Sequence, residues 1–313
     1  MNFSNPNLRA AAESLAPSTL RFGGTGNDYL HYACTTEPGR DNDTYGCLNA
    51  SHRADLLGLA AETGTDFLFG VSFDVAAACA QSTDYIWQTA EVEFLLGEMQ
   101  RDGQAVWGFE LGNEINNRAP GGNQDCGLVP RQQSGAMRTF AELLQAKWPD
   151  PTSRPKFIGP DTGYHDGPAW LNATLAEAGD VLHAVTHHVY PGIHRDNFNV
   201  PSAFDKIIHG DMSWYPQIVA KRAPSAQMWA GEDGPAGGGE SGTCSGTTGD
   251  PHNISACGLF ATVLWYADDM ALRATHGFKQ YQRQDFVGGR YSLIGTEHDN
   301  EYEPESSPVE IHP

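Results

Sequence analysis

The sequence predicts a (β/α)8 barrel of the TIM type that lacks its first strand. Short apolar strands alternate with amphipathic helices along nearly the whole chain, seven such strands are readable, and carboxylates stand where strands run into glycine-rich loops. At 313 residues the chain is long enough for one domain of this kind.

Each element follows from its local pattern. Asn5-Pro6 opens a helix over NLRAAAESLA, with apolar positions at Leu8, Ala11, Ala12 and Leu15, and Pro17 ends it. A strand around Leu20 and a polar loop lead to the helix HRADLLGLAAET, stopped by Gly64. Strands around Phe67, Val106, Phe157 and Val185 are then separated by the helices WQTAEVEFLLGEMQRDG, SGAMRTFAELLQAKW and PAWLNATLAEAG. The helix WYPQIVAKRA, a strand around Met228, the long helix ISACGLFATVLWYADDMALRATH and a strand around Phe278 complete the series. Because the chain opens on a helix, the absent strand is expected upstream, together with a signal peptide. The barrel domain is expected over 1–295, and 296–313 read as an acidic, flexible tail.

Composition narrows the partners. A formal charge of -20 repels phosphate backbones, so nucleic acid is excluded as a partner. No run approaches the roughly 18 apolar residues of a membrane span; peripheral membrane association is compatible with the sequence. None of the six cysteines has C-x-x-C spacing, so a disulfide framework is expected rather than zinc. Cys34 with Cys47 and Cys244 with Cys257 would each close a short polar loop, leaving Cys79 and Cys126 as a third pair. Sequons at Asn2, Asn42, Asn49, Asn172 and Asn253 agree with a secreted glycoprotein, extracellular or in a lysosome or vacuole.

The chemistry concentrates at strand exits. In VWGFELGNE a period of two puts Glu110, Gly112 and Glu114 on one face, with Glu114 topmost. Glu232, in QMWAGEDG, ends another strand. Two facing carboxylates can cleave a glycosidic bond, one protonating the leaving oxygen and the other attacking the anomeric carbon. The residues alone do not say which does which.

LAPSTLRFGGTGNDYL, WGFELGNEIN, THHVYPG and MWAGEDGPAGGG, in this order, resemble the heparanase-like β-glucuronidases, glycoside hydrolase family 79 of the retaining clan A. The resemblance implies Glu114 as acid/base and Glu232 as nucleophile, 118 residues apart. It implies that Asn113 bonds the sugar 2-hydroxyl and that Tyr190 donates to Glu232. The amides of Gly237, Gly238 and Gly239 and the hydroxyl of Tyr291 would hold the uronate carboxylate; Arg290 is a candidate charged helper at a position where the family more often carries a small polar residue. No cofactor and no metal are implied. The family's C-terminal β-sandwich is expected to be absent from this sequence, and Val189 stands where the family often has an aromatic residue.

The expected substrate is a glycan or proteoglycan bearing β-linked glucuronic acid. The excess of 39 acidic over 19 basic residues argues against heparan sulfate and for exo-cleavage of terminal glucuronic acid. Two alternatives stand beside this one: a noncatalytic glycan-binding homologue, and another clan A glycosidase acting on neutral sugars. Several residues read as structural: Glu110 paired with a group such as Arg21, Asp161 and Asp233 as supporting carboxylates, and Trp107, Trp229 and Trp265 as packing. His187, His188 and His194 read as core or cleft histidines, since neighbours on one strand alternate faces and do not converge on a metal.

Overall fold

The structure is a computed structural model, and it describes residues 3, 5–34, 46–104, 106–191, 213–235, 261–284, 286, 294–296 and 309–311. Two compact units are present, one of residues 3–187 with 218–227 and the other of 1–2, 188–217 and 228–313. Seven parallel strands with intervening helices make the fold a (β/α) TIM-type barrel fold.

The first unit begins with helix α1 (Pro6–Leu15), whose N-terminus is capped by Asn5 Oδ1 accepting from the amide of Asn7 at 2.9 Å. Strand β1 (Thr19–Phe22) follows, then α2 (Ala50–Thr63), capped by Asn49 and stopped by Gly64 in the left-handed conformation. Strand β2 (Asp66–Val71) leads to α3 (Val75–Gln81), a helix the apolar periodicity does not announce because it is a short alanine-rich run. Its signal is Asp74, whose carboxylate accepts from the amide of Ala77.

Next come α4 (Ala90–Arg101), β3 (Gly108–Leu111), α5 (Pro130–Lys147), β4 (Lys156–Thr162), α6 (Gly167–Ala178) and β5 (Ala184–Val189), which ends in the second unit. Helix α5 begins four residues before the expected Ser134, because Pro130 suits a first turn and Gln132 reaches back to the amide of Val129 at 2.7 Å. Strand β3 starts later than the expected centre at Val106, joining its neighbours from Trp107 onward.

Strands β1 to β5 pair in chain order, with registers such as Arg21↔Leu68, Phe69↔Phe109 and Phe109↔Phe157. Phe109 and Phe157 turn toward α5, where Phe140 meets both rings edge-on at 5.9 and 5.1 Å. Glu110, between them in parity, is fully buried on the other face of the sheet.

Helix α7 (213–222) crosses from the second unit to the first. The second unit then has β6 (Gln227–Asp233, from Met228 on), α8 (Ala261–Thr275) and β7 (Gln280–Arg283), with β6 and β7 parallel. Strand β7 starts two residues after Phe278, whose amide still bonds to the carbonyl of Arg273 at the end of α8 and whose ring stacks on Tyr215. Part of the segment read as a tail is paired: β9 (Val309–Ile311) lies antiparallel to β8 (Ile294–Thr296). Disulfides join Cys34 to Cys47 and Cys79 to Cys126, as expected; Cys244 and Cys257 lie outside the described residues. Trp229 and Trp265 are buried in packing, and Trp107 stacks edge-on against His183.

Candidate active site

In the first unit the site is built on the exit of β3. The strand stops at Leu111, and both Gly112 (φ 74°) and Glu114 (φ 49°) adopt left-handed backbone conformations. The period-two argument therefore holds for Glu110 but does not carry as far as Glu114. Tertiary hydrogen bonds place Glu114 instead. The Asn113 amide donates to both carboxylate oxygens of buried Asp28, at 3.2 and 3.1 Å, and the Glu114 amide donates to the Asp161 carbonyl at 2.9 Å.

The side chains are held as firmly as the backbone. Glu114 Oε2 accepts from the Asn117 amide group at 2.7 Å. Gly163, after β4, leaves room for the carboxylate, since a Cβ there would stand 2.7 Å from Glu114 Cδ. Asn116 ties the two loops together by accepting from the Gly163 amide at 2.8 Å and donating back to its carbonyl at 3.0 Å.

Beneath this loop Arg21 bonds Glu110 at 2.6 Å and Asp161 at 3.3 Å, which confirms the structural reading of Glu110. Gly23 makes the arrangement feasible, because a Cβ at that position would fall 2.6 Å from the Arg21 guanidinium carbon. Arg21 also donates to Asn113 Oδ1 at 3.2 Å. A guanidinium can only donate, so this contact fixes which end of the Asn113 amide is oxygen and leaves its NH2 group as a donor. Burial pushes the Asp28 carboxyl up to about 8, against the pull of the Asn113 and Phe73 amides and the Arg118 charge.

In the second unit the site is built on the ends of β5 and β6. The Tyr190 hydroxyl donates to Glu232 Oε1, and Glu232 is almost fully buried. Gly234 accommodates the tyrosine, since a Cβ there would lie 2.7 Å from the ring. Asp233 points to the opposite face. Its Oδ1 accepts from the Val189 amide at 3.0 Å, and its Oδ2 meets Arg273 of α8 at 2.5 Å. Arg273 also bonds Asp269 at 3.2 Å, and Asp269 accepts from the Tyr281 hydroxyl at 2.5 Å. Burial drives both aspartates upward, Asp233 to about 8, because one guanidinium faces two carboxylates out of reach of water.

The structure thus brings Tyr190 onto Glu232 and sets Asn113 and Glu114 side by side in one anchored loop. Gly237, Gly238, Gly239, Arg290, Tyr291 and His194 lie outside the described residues. His187 and His188 are buried. Two sequons have side chains already engaged: Asn49 caps α2, and Asn172 accepts from Arg222 at 2.9 Å. Sequence reasoning named Asp233 as a supporting carboxylate but missed Asp28, Asn117, Gly163 and the partners of Asp233, Arg273 and Asp269. Only Asp28 and Asn117 carried a signal, as polar residues within GTGND and NEINN.

The sequence model described as glycosyl hydrolase family 79, N-terminal domain, matches residues 1–271. The chain belongs to glycosyl hydrolase family 79. Among curated relatives, heparanase-like protein 3 of Arabidopsis thaliana is 24% identical over 95% of this chain and 55% of its own length. The baicalin-beta-D-glucuronidase of Scutellaria baicalensis is 23% identical over 95% of this chain and 59% of its own. The family 79 chain therefore spans less than two thirds of the length of either relative. An alpha-L-arabinofuranosidase from Thermotoga maritima matches 95% of this chain and 62% of its own with a TM-score of 0.60 at 13% identity, which is a likeness of fold. No helix of the described residues is long and apolar enough to cross a membrane.

Proposed function

We propose that this chain is the catalytic part of a retaining β-glucuronidase that removes terminal β-linked glucuronic acid from a glycan or glycoside. The observation that carries the reading is the Tyr190 hydroxyl on Glu232 at the end of β6. A carboxylate that accepts from a neutral donor is kept anionic and oriented, as a nucleophile requires. The family resemblance gives Glu114 the role of proton donor, and the Asn117 amide orients its carboxyl.

Glu232 attacks the anomeric carbon while Glu114 gives its proton to the departing oxygen, so the glycosidic C–O bond breaks as a glucuronyl ester forms. Glu114, now a carboxylate, takes a proton from water, whose oxygen attacks the same carbon and releases Glu232. This double displacement requires the two carboxyl groups about 5–5.5 Å apart. The Asn113 NH2 group, which donates to the Thr25 hydroxyl at 3.5 Å, has a second hydrogen to donate to the sugar 2-hydroxyl, in a bond that strengthens as positive charge develops on the ring. By resemblance, Gly237, Gly238, Gly239 and Tyr291 receive the uronate carboxylate.

The exo mode is supported by the relative named for baicalin glucuronide cleavage and by the acidic composition. Secretion is supported by the two disulfides, which persist in oxidising compartments. The test is release of p-nitrophenol from its β-glucuronide by the wild type, Glu114→Gln and Glu232→Gln, beside a β-glucoside and an α-arabinofuranoside. Glucuronide-specific release, lost in both variants, with the β-anomer formed first by proton NMR, is expected. Comparable turnover of the neutral glycosides would overturn the assignment, and first formation of the α-anomer would overturn the retaining mechanism.

A further inference from the structure

Asp233 follows Glu232 directly, yet strand alternation sends the two carboxyls to opposite faces of β6. Asp233 reaches across to β5, where its Oδ1 accepts from the amide of Val189, the residue before Tyr190. The next residue, Gly234, donates its amide to the Val189 carbonyl at 3.3 Å. A third contact secures the β7 side, the Gln284 amide on the Asp233 carbonyl at 2.8 Å. Arg273 closes the cluster from α8, fully buried, with Asp269 behind it and the rings of Phe278 and Tyr281 5.2 and 5.9 Å from its guanidinium carbon.

We propose that Asp233, fixed by Arg273, is a positioning residue: by pinning Val189 it keeps the Tyr190 hydroxyl on the Glu232 carboxylate. The inference rests on Glu232 as the nucleophile for its catalytic meaning, but the linkage itself is a property of these residues alone. Its physical basis is that the Asp233 carboxyl ties the end of β5 directly to α8 through Arg273. An amide donating to a buried carboxyl that a guanidinium holds on its other oxygen is a bond of fixed geometry. Without it, Val189 is held at this point by the longer Gly234 bond, and a shift of a fraction of an ångström in the tyrosine after it is enough to weaken the bond to Glu232. The charged and titratable groups around Asp233 are Arg273 and Asp269 on α8, Tyr281 and Arg283 on β7, His188 and Tyr190 at the end of β5, and Glu232 itself.

The experiment compares Asp233→Ala with Asp233→Asn, each with Tyr190 and with Tyr190→Phe. Both variants remove the charge, but only asparagine keeps an acceptor for Val189. Glu232 is followed by carboxyl 13C NMR, its resonance assigned by its loss in Glu232→Gln. With Tyr190 present, the alanine variant should titrate roughly one pH unit above the asparagine variant, because the carboxylate loses its donor. With Tyr190→Phe the two should coincide. Equal midpoints with Tyr190 in place overturn the proposal. If the alanine variant does not fold, Arg273→Lys reads the same linkage, since lysine keeps the charge but not the fork that holds Asp233, and its shift must likewise vanish with Tyr190→Phe. Turnover of p-nitrophenyl β-glucuronide is measured alongside: kcat should fall at least about tenfold in Asp233→Ala, and less in Asp233→Asn, with KM little changed. A Tyr190-dependent shift in an inactive wild type would refute the glucuronidase reading and leave the positioning role intact.

Discussion

Gly163→Ala tests whether Glu114 is the proton donor without touching its carboxyl. The added Cβ would stand 2.7, 2.9 and 3.1 Å from Glu114 Cδ, Cγ and Cβ, about 0.7 Å inside ordinary contact at the nearest atom. All three atoms are involved, so a rotation of the terminal carboxyl alone does not relieve the clash, and the whole side chain must swing away from the Asn117 amide that holds it. A misplacement on the order of 1 Å costs a catalytic group about 10²-fold in rate.

The loss should depend on the leaving group. An alkyl β-glucuronide needs its oxygen protonated and should lose about 10²-fold in kcat/KM, whereas p-nitrophenolate leaves with little help and should lose much less. The fold should survive, because the Gly163 amide and carbonyl keep their bonds to Asn116. Gly135→Ala, in α5 with nothing within 4 Å of the new methyl, serves as control and should leave both activities unchanged. An equal loss on both substrates, or none on either, would refute the reasoning.

Three further outcomes are expected. Asp28 is pushed up to about 8 from an ordinary 3.8, so its contribution to stability is fully present below the lower value and lost as pH rises through the upper one; between them the folded state binds the extra proton. Asp28→Asn should therefore remove up to about 1.4 kcal/mol per pH unit from the decline in stability between those values, read by urea unfolding at pH 5 and 8; an unchanged slope would count against it. Replacing Cys79 and Cys126 by serine should cost ~4 kcal/mol, against ~3 kcal/mol for Cys34 and Cys47, because the separations they close are 47 and 13 residues; calorimetry showing the reverse order would contradict this. Gly234→Ala should displace the Tyr190 ring and lower kcat on p-nitrophenyl β-glucuronide at least about tenfold with KM little changed, and wild-type turnover would show that the tyrosine contact is dispensable.

Family 79 membership was legible in the order of four motifs, and the fold in the alternation of strand and helix. The sequence by itself determined these because a strand or an amphipathic helix records its environment locally, residue by residue, in which side chains must avoid water. For the same reason Asn113, Glu114 and Glu232 were legible as polar residues at the ends of apolar runs. The tertiary structure alone decided how they are held. Strand β3 ends at Leu111, so Glu114 is aimed by Asp28, Asp161, Asn117 and Gly163 rather than by strand parity. Asp28 is 85 residues from Asn113 and Arg273 is 40 from Asp233, and no local pattern encodes contacts over such distances. They exist because burying a carboxylate demands a donor, and only the folded chain can bring one to it.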